Sequence, residues 1–158
     1  MRIGLISDTH GLLRPEALEA LQGSELILHA GDIGRPDVLD GLRAIAPVVA
    51  VRGNTDEEPW AFELPETQRI EKAGVFIYLL HDRHRLEIVP AVAGIAAVVS
   101  GHSHRASVRR DQGVLWVNPG SAGPRRFSFP VTVGRLTVEP GRLEAEIIKL
   151  KISRAKGA

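Results

Sequence analysis

The chain opens with the stretch RIGLISDTH, residues 2–10, in which a short apolar run leads directly into polar residues. The apolar residues within 2–6 predict a short β-strand bounded by polar residues and Gly11. Asp8 and His10 follow at its carboxyl end, where ligands bind in open α/β sheets, and strand alternation would point both side chains the same way. A carboxylate oxygen and an imidazole nitrogen that converge there form half of a divalent-metal site. We therefore expect the rest of the chain to supply the other half.

The composition is that of an ordinary folded protein, and it limits the kinds of site that the chain can form. With 158 residues, 44% of them hydrophobic and 25% charged, we expect a single domain over residues 1–152 and a C-terminal tail over residues 153–158. The net charge of +1, without a long basic run, argues against a membrane surface and against nucleic acid as a stable partner. The sequence shows neither a signal-peptide pattern nor a membrane-length apolar run, so we expect a cytoplasmic protein. Because the chain lacks cysteine, any metal must be held by nitrogen and oxygen.

Apolar runs separated by turn residues predict strands that alternate with short helices in the first third of the chain. Pro15 and Pro36 suit the first turns of two helices, and the alternation indicates βαβ units and a parallel sheet. The last third is richer in strands, and we expect antiparallel pairing there. The predicted strands are residues 2–6, 26–30, 47–51, 62–70, 75–80, 96–99, 106–110, 114–117, 131–138 and 143–150. Residues 86–93 are predicted to hold one or two helical turns. The fold class is α/β, with two packed sheets of mixed strand direction and helices outside.

Residues that bind metals well follow several of the predicted strands. Besides Asp8 and His10, they are Asp32, Asn54, His81, His102 and His104. Each has a plainer interpretation, since Gly-Asp and Gly-Asn pairs are common turns and a lone histidine at a strand end is commonly structural. Two imidazoles placed two residues apart after Gly101 are harder to explain, because crowding them is costly unless they bind something. Repeated nitrogen and oxygen ligands at strand ends therefore favour a shared metal site.

In order along the chain, these residues form the pattern Asp-x-His, Gly-Asp, Gly-Asn, His and Gly-His-x-His. The pattern resembles that of the calcineurin-like metallophosphoesterase superfamily, and the resemblance extends from Met1 to about Arg126. The short chain and the stretch Asn118-Pro119-Gly120-Ser121, followed by Pro124-Arg125, resemble the small single-domain prokaryotic phosphodiesterase branch. The resemblance implies a two-sheet β-sandwich flanked by helices, in an αββα arrangement, with two metals at the sheet ends.

The resemblance also implies which ligand holds which ion. Asp8, His10, Asp32 and His104 would hold one ion, and Asp32, Asn54, His81 and His102 the other, with Asp32 bridging them. Two divalent ions about 3.5–4 Å apart need a shared anionic ligand, which a carboxylate with two oxygens can supply. Manganese is the first expectation for both ions, and nickel, iron, cobalt or zinc would accept the same ligands.

The implied activity is hydrolysis of a small-molecule phosphate ester, with a phosphodiester expected first, through in-line attack by a hydroxide that bridges the metals. Asn54 is expected to ligate one ion by its carbonyl oxygen and to direct its amide protons at the phosphate. Many family members have a histidine after Gly-Asn that helps to protonate the leaving group, and this chain has Thr55 followed by Asp56 instead. The proton would then come from Asp56, His84 or a metal-bound water. The candidate catalytic residues are therefore Asp32, Asn54 and Asp56.

Four other features have weaker links to the predicted site. His29 lies inside an apolar strand and faces away from the ligand that follows it, so we expect a core or supporting residue and not a ligand. Asp82 stands where the family usually has glycine, and it is expected to be a solvated turn residue. Residues 118–121 have two interpretations, a plain turn or backbone N–H groups near the site. Arg125 and Arg126 are equally open, as loop residues or as guanidinium groups for phosphate.

Two other functions compete with the hydrolase. The superfamily includes non-catalytic scaffolds that kept the fold for protein binding, and the complete ligand set argues against a scaffold here. A metal-dependent hydrolase of the β-lactamase-like group would need a His-x-His-x-Asp-His cluster, which the sequence lacks. Both phosphodiesters and phosphomonoesters fit the pattern as substrates, and a homo-oligomer is compatible with it.

Overall fold

The computed structural model describes residues 1–152, and two five-stranded sheets pack against each other in it. The strands in this range are β1 (Arg2–Ile6), β2 (Leu26–His29), β3 (Val48–Ala50), β4 (Thr67–Lys72), β5 (Val75–Leu80), β6 (Ile95–Val99), β7 (Ser107–Asp111), β8 (Val114–Asn118), β9 (Thr132–Glu139) and β10 (Arg142–Lys149). The helices are α1 (Pro15–Ala20) and α2 (Pro36–Arg43), with short 3₁₀ segments at Pro59–Glu63 and Arg83–Arg85. The predicted tail, residues 153–158, lies outside the described residues, and the single domain over residues 1–152 stays a prediction.

Each sheet combines parallel and antiparallel strands. The first sheet has the order β10-β9-β1-β2-β3, in which β1, β2 and β3 are parallel and β9 and β10 are antiparallel to their neighbours. The second has the order β4-β5-β6-β8-β7, in which β5, β6 and β8 are parallel. The prediction of two packed sheets with mixed strand direction is confirmed. The last third does not form one antiparallel unit, because β7 and β8 join the second sheet while β9 and β10 join the first.

Apolar side chains on both faces of β1 hold this strand between two layers. Ile3 and Leu5 face the second sheet, and Ile6 faces helices α1 and α2, because successive side chains of a strand point to opposite faces. All three are fully buried, and burying each such side chain contributes roughly 1.5–3 kcal/mol. The carboxyl end of β1 is therefore fixed by packing on both sides.

The two α-helices cover the outer face of the first sheet. The outer face of the second sheet is covered by an irregular segment, residues 86–93. Leu86 and Ile88 of this segment pack with Val98 and Val114 of the sheet. The predicted helical turns over residues 86–93 reduce to one hydrogen-bonded turn, in which the N–H of Ala93 donates to the carbonyl of Val89 over 2.9 Å. Pro90, which cannot donate a backbone hydrogen bond, and Gly94 explain why no helix forms.

The predicted strand over residues 62–70 is wrong in its first half. Residues Pro59–Glu63 form a 3₁₀ segment and β4 begins only at Thr67, because Pro59 and Pro65 restrict the backbone and remove two donors. The other predicted strands agree with the observed bounds to within one residue at each end. No helix within residues 1–152 has the length and apolar character needed to cross a membrane.

Candidate metal centre

All seven predicted metal ligands lie just beyond the carboxyl ends of strands. Asp8 and His10 follow β1, Asp32 follows β2, Asn54 follows β3, His81 follows β5, and His102 and His104 follow β6. The carboxyl ends of parallel strands meet at one edge of a sheet, and here the edges of both sheets bring their loops together. The structure therefore places all seven side chains in one cluster.

Asp8 lies at the centre of the first half of this cluster, with each carboxylate oxygen in a different environment. Oδ2 accepts hydrogen bonds from the hydroxyl of Ser7 at 2.6 Å and from the backbone N–H of His102 at 3.1 Å. Oδ1 lies 3.3 Å from Nε2 of His104 and 3.9 Å from Nε2 of His10. Among the described residues, this buried oxygen has no hydrogen-bond partner. One oxygen thus fixes the carboxylate while the other faces two imidazoles.

Asp32 lies between two histidines and links the halves of the cluster. Its Oδ2 is 3.2 Å from Nε2 of His81 and 3.8 Å from Nε2 of His10. Its Oδ1 accepts a hydrogen bond from the backbone N–H of Thr55 at 2.9 Å. Nδ1 of His81 donates to the carbonyl of Ala30 at 2.8 Å, which fixes the ring and directs Nε2 at Asp32. This position suits a carboxylate shared by two ions.

Asn54 and His102 complete the second half of the cluster. Nδ1 of His102 lies 3.2 Å from Oδ1 of Asn54 and 3.3 Å from Nε2 of His81. One amide oxygen and two imidazole nitrogens therefore converge next to Asp32. Two overlapping groups can hold an ion in this region: Asp8 with His10 and His104, and Asp8 with Asp32 and His81. Asp8 thus also approaches the second group, with its Oδ1 4.0 Å from Nε2 of His81.

Most of these side chains converge through unusual loop conformations and not through strand alternation. Five of the seven have a left-handed backbone: Asp8 (φ 55°), His10 (φ 46°), Asp32 (φ 55°), His102 (φ 71°) and His104 (φ 62°). Such conformations cost a non-glycine residue about 1–3 kcal/mol and are concentrated at functional sites. Asp8 and His10 do point towards each other, as predicted. The predicted cause, alternation of side chains along a strand, is wrong, because the strand ends at Ile6.

Glycines allow the ligand loops to approach one another. A Cβ atom on Gly53 would collide with the side chain and backbone of Asp32, and a Cβ on Gly31 would lie 2.8 Å from Nδ1 of His81. The sequence shows these glycines before Asn54 and Asp32, where they suggested turns. The structure gives them a second role, which is close packing of loops from different strands.

Burial and neighbouring charges determine the protonation of the ligands. Burial acts to raise the pKa of Asp8, but the close imidazoles of His104 and His81 outweigh it and hold that pKa below its usual value. Burial likewise opposes ionisation of Asp32, but His81 and the N–H of Thr55 keep its pKa well below the usual range. Burial lowers the pKa of His10. Both carboxylates are therefore anionic at neutral pH, the form in which they bind metals.

Several residues support the site through side-chain hydrogen bonds that the sequence did not predict. Ser7 orients Asp8, as described above. Asn118 donates its amide to the carbonyl of Gly101 at 2.9 Å, and Ser121 donates its hydroxyl to the carbonyl of Asp8 at 3.1 Å. The stretch 118–121 is thus more than a plain turn, because its side chains support the ligand loops. Its Asn-Pro-Gly-Ser composition was the only sequence signal for this role.

The structure corrects the role predicted for Asp56. Its side chain is 4% exposed, and both oxygens accept backbone N–H groups. These come from Ile33 at 3.0 and 3.1 Å, Gly34 at 3.1 Å and Gly53 at 2.9 Å. A carboxylate used in this way is an acceptor, so it is not suited to protonate a leaving group. Asp56 instead joins the loop that carries Asp32 to the loop that carries Asn54.

The remaining candidates take supporting or peripheral positions. His29 is fully buried, accepts the N–H of Gly31 on Nδ1 at 3.1 Å and contacts the hydroxyl of Thr9 through Nε2 at 3.0 Å, which confirms a supporting role. Asp82 is half-buried, and its Oδ2 lies 3.8 Å from Nε2 of His102. Arg125 and Arg126 are exposed, and the charge of Arg126 acts on His10.

A cleft of about 910 Å³ opens beside Asn54, His81 and His102. Tyr78 and Leu80 supply part of its wall, so it has apolar as well as polar surface. The candidate metal centre therefore borders a space large enough for an organic group much larger than a phosphate.

Comparisons with known proteins bear on the family and on the fold. The model of the calcineurin-like phosphoesterase superfamily domain matches residues 1–141. A probable metallophosphoesterase of Methanothermobacter thermautotrophicus is 36% identical, over 94% of this chain and 92% of the relative. The structure of a novel archaeal phosphodiesterase has a TM-score of 0.77 at 24% identity, covering 94% of this chain and 100% of its own. Entamoeba histolytica Vps29 complexed with Zn²⁺ has a TM-score of 0.72 at 24% identity, covering 94% and 99%. The two structural matches show the same fold.

Proposed function

The chain belongs to the calcineurin-like phosphoesterase superfamily, and on that basis we propose that it is a metal-dependent phosphoesterase that hydrolyses phosphodiesters at a centre of two divalent ions. The seven clustered side chains are the proposed ligands. Asp8, His10 and His104 would hold one ion, Asn54, His81 and His102 would hold the other, and Asp32 would be shared. Manganese is the proposed native metal, since the carboxylate oxygens of Asp8 and Asp32 and the amide oxygen of Asn54 suit it.

The observation that carries the proposal is a pair of buried polar atoms aimed at one point. Oδ1 of Asp8 and Nε2 of His10 have no hydrogen-bond partner among residues 1–152, and they lie 3.9 Å apart. Leaving a buried polar atom unpaired costs about 1–3 kcal/mol, so a protein does not normally collect such atoms without a use for them. A cation between the two atoms would satisfy both.

The charge of the cluster suits an anionic substrate. Asp8 and Asp32 are the two carboxylates among the proposed ligands, and two carboxylates only partly neutralise two divalent ions. When bound, such ions activate water as a nucleophile and offset the charge that develops on the phosphate. The remaining positive charge would attract a phosphate-ester anion.

The protein's own residues would position the ester. Asn54 is exposed at the edge of the large cleft, and an amide that ligates through its oxygen keeps two N–H groups for the phosphate oxygens. Because Asp56 is occupied by backbone N–H groups, we expect turnover to favour esters whose leaving group needs no proton, such as nitrophenyl esters. The size of the cleft favours diesters, in which a second organic group must be accommodated.

A turnover screen tests the proposal. Metal-free protein would be loaded in turn with manganese, nickel, iron, cobalt or zinc, then assayed with bis(4-nitrophenyl) phosphate and 4-nitrophenyl phosphate. We expect metal-dependent release of nitrophenolate, faster from the diester. Asp32→Ala and His104→Ala should lose roughly a hundredfold or more in turnover and should retain less metal. Asp40→Ala, which changes an exposed residue, should keep both the turnover and the metal content of the wild type.

Two results would contradict the proposal. Full activity of the metal-free protein would show that turnover does not need a metal held by these seven side chains. Metal binding without turnover of any ester would instead support the alternative, a non-catalytic scaffold of the same fold.

A further inference from the structure

A second cleft, of about 270 Å³, adjoins the large cleft beside the candidate metal centre. Asp82, His84 and His102 line both clefts and so form their common boundary. Because His102 is a proposed metal ligand, an ester bound at the centre can extend one group into each cleft. The chemical character of the two clefts then limits which groups those are.

The large cleft contains its own counter-charges. Arg52 forms an ion pair with Glu66 at 3.0 Å and also donates to the carbonyl of Leu64 at 2.9 Å. Arg85 lines the same space together with a second glutamate, Glu87. With Tyr78 as part of the wall, this cleft suits an uncharged organic group.

The small cleft is dominated by arginine. Arg83, Arg105 and Arg109 line it, and Asp82 is the one acidic residue among its lining. Within residues 1–152, no carboxylate lies within ion-pair distance of Arg83 or Arg105, and Arg109 has only a long contact of 4.0 Å with the exposed Asp111. The guanidinium groups of this cleft are therefore largely free to bind an anion.

The hydroxyl of Ser103 is an uncharged donor in the same lining. Oγ of Ser103 accepts hydrogen bonds from the amide of Asn118 at 3.1 Å and the backbone N–H of Arg105 at 3.2 Å, so its own proton remains available. The guanidinium of Arg109 lies 5.5 Å from the centre of the aromatic ring of Trp116, which also lines the cleft. Arginine forks and a hydroxyl proton are the donors that phosphate groups accept best.

We propose that the small cleft binds a second phosphate group, carried on the organic arm of the ester that is hydrolysed at the metal centre. The substrate class is then a phosphodiester whose alcohol bears a further phosphate. This inference rests on the proposed function and adds to it a specificity site made of Arg83, Arg105 and Arg109.

A matched pair of substrates tests this inference. Thymidine 5′-(4-nitrophenyl phosphate) and its 3′-phosphorylated form differ only in the second phosphate, and both release nitrophenolate. With the metal-loaded protein, we expect the 3′-phosphate to lower KM about fivefold to tenfold, the effect of one or two charge-assisted hydrogen bonds at an open site. Added salt should reduce this difference, because it screens exposed charges.

Variants identify the cleft as the source of the difference. Arg105→Gln and Arg109→Gln should bring the ratio of the two KM values close to one. Arg110→Gln is the matched control, since Arg110 is also on β7 but donates to the carbonyl of Leu143 and does not line the cleft, so the ratio should be kept. Equal KM values of the wild type for the two substrates would overturn the inference, as would an unchanged ratio in Arg105→Gln and Arg109→Gln. Neither result would affect the proposed hydrolase function. If the metal-loaded protein cleaves neither of the two esters, both this inference and the proposed function are overturned.

Discussion

Asp56 connects two ligand loops without being a ligand itself. Asp56→Asn keeps the size of the side chain but replaces an anionic acceptor by an amide with one oxygen, facing the N–H groups of Ile33, Gly34 and Gly53. Because hydrogen bonds to charged groups are the stronger ones, we expect the free energy of unfolding to fall by about 2 kcal/mol. Urea unfolding measures this, and the exposed control Asp40→Asn should stay within about 0.5 kcal/mol of the wild type.

The same variant separates the two roles considered for Asp56. A connecting role predicts weaker metal binding together with lower stability. Unchanged stability, with turnover lost only for esters of poor leaving groups, would instead restore the role of proton donor.

His29 makes the stability of the fold depend on pH. Burial lowers its pKa to about 4, whereas a histidine in an unfolded chain titrates near 6.5. Between these values the unfolded chain binds a proton that the folded chain does not, so stability is complete above about pH 6.5 and is lost as the pH falls towards 4. The loss attributable to His29 is about 3 kcal/mol over this window.

A comparison with His29→Gln isolates this contribution. The variant retains a polar side chain but cannot titrate, so its unfolding free energy should fall less steeply between pH 7 and pH 5 than that of the wild type. Urea unfolding at several pH values gives both slopes. Equal slopes would show that His29 is not held neutral by the fold.

The loop after β6 packs closely against the loop after β1, and Gly101 makes this possible. A Cβ atom there would collide with the hydroxyl of Ser7 and lie 2.6 Å from Oδ2 of Asp8. We expect Gly101→Ala to lower both metal affinity and turnover by roughly tenfold or more, since the orientation of Asp8 depends on these neighbours.

Gly74→Ala is the matched control for this prediction. Gly74 has a φ of +83° and open space around the position of a Cβ, so alanine should cost about 1–2 kcal/mol of stability without affecting the metal. Metal titration and turnover of both variants give the comparison. If Gly101→Ala binds metal as tightly as Gly74→Ala does, close packing of the loops after β1 and β6 is not required for metal binding.

Strands β2, β3, β5 and β6 could be predicted from the sequence because their apolar runs are continuous and end at polar residues or glycine. The prediction of a strand before β4 is wrong, because Phe62 and Leu64 alternate as in a strand while Pro59 and Pro65 break it. The left-handed loop conformations could not be predicted, since Asp and His are enriched in this conformation but are also common in ordinary turns. The connecting role of Asp56 could not be predicted either, because its partners are backbone N–H groups, which no sequence pattern displays.

The order of the strands in each sheet depends on contacts between distant parts of the chain. β9 lies between β10 and β1, and β6 pairs with β8 and not with β7, which hydrophobic periodicity does not specify. The ordered set of ligands predicted the cluster nevertheless, because every ligand lies within five residues of the carboxyl end of a strand. The cluster itself needs both sheets, since Asp8 and Asp32 come from one and His81 and His104 from the other.

The central claim is that these loops together hold two ions that share Asp32. Anomalous diffraction from crystals of the manganese-loaded protein, collected near the manganese absorption edge, measures this directly. We predict two peaks about 3.5–4 Å apart, one beside Asp8, His10 and His104, the other beside Asn54, His81 and His102, with Asp32 between them. A single peak, or none among these side chains, would contradict the account.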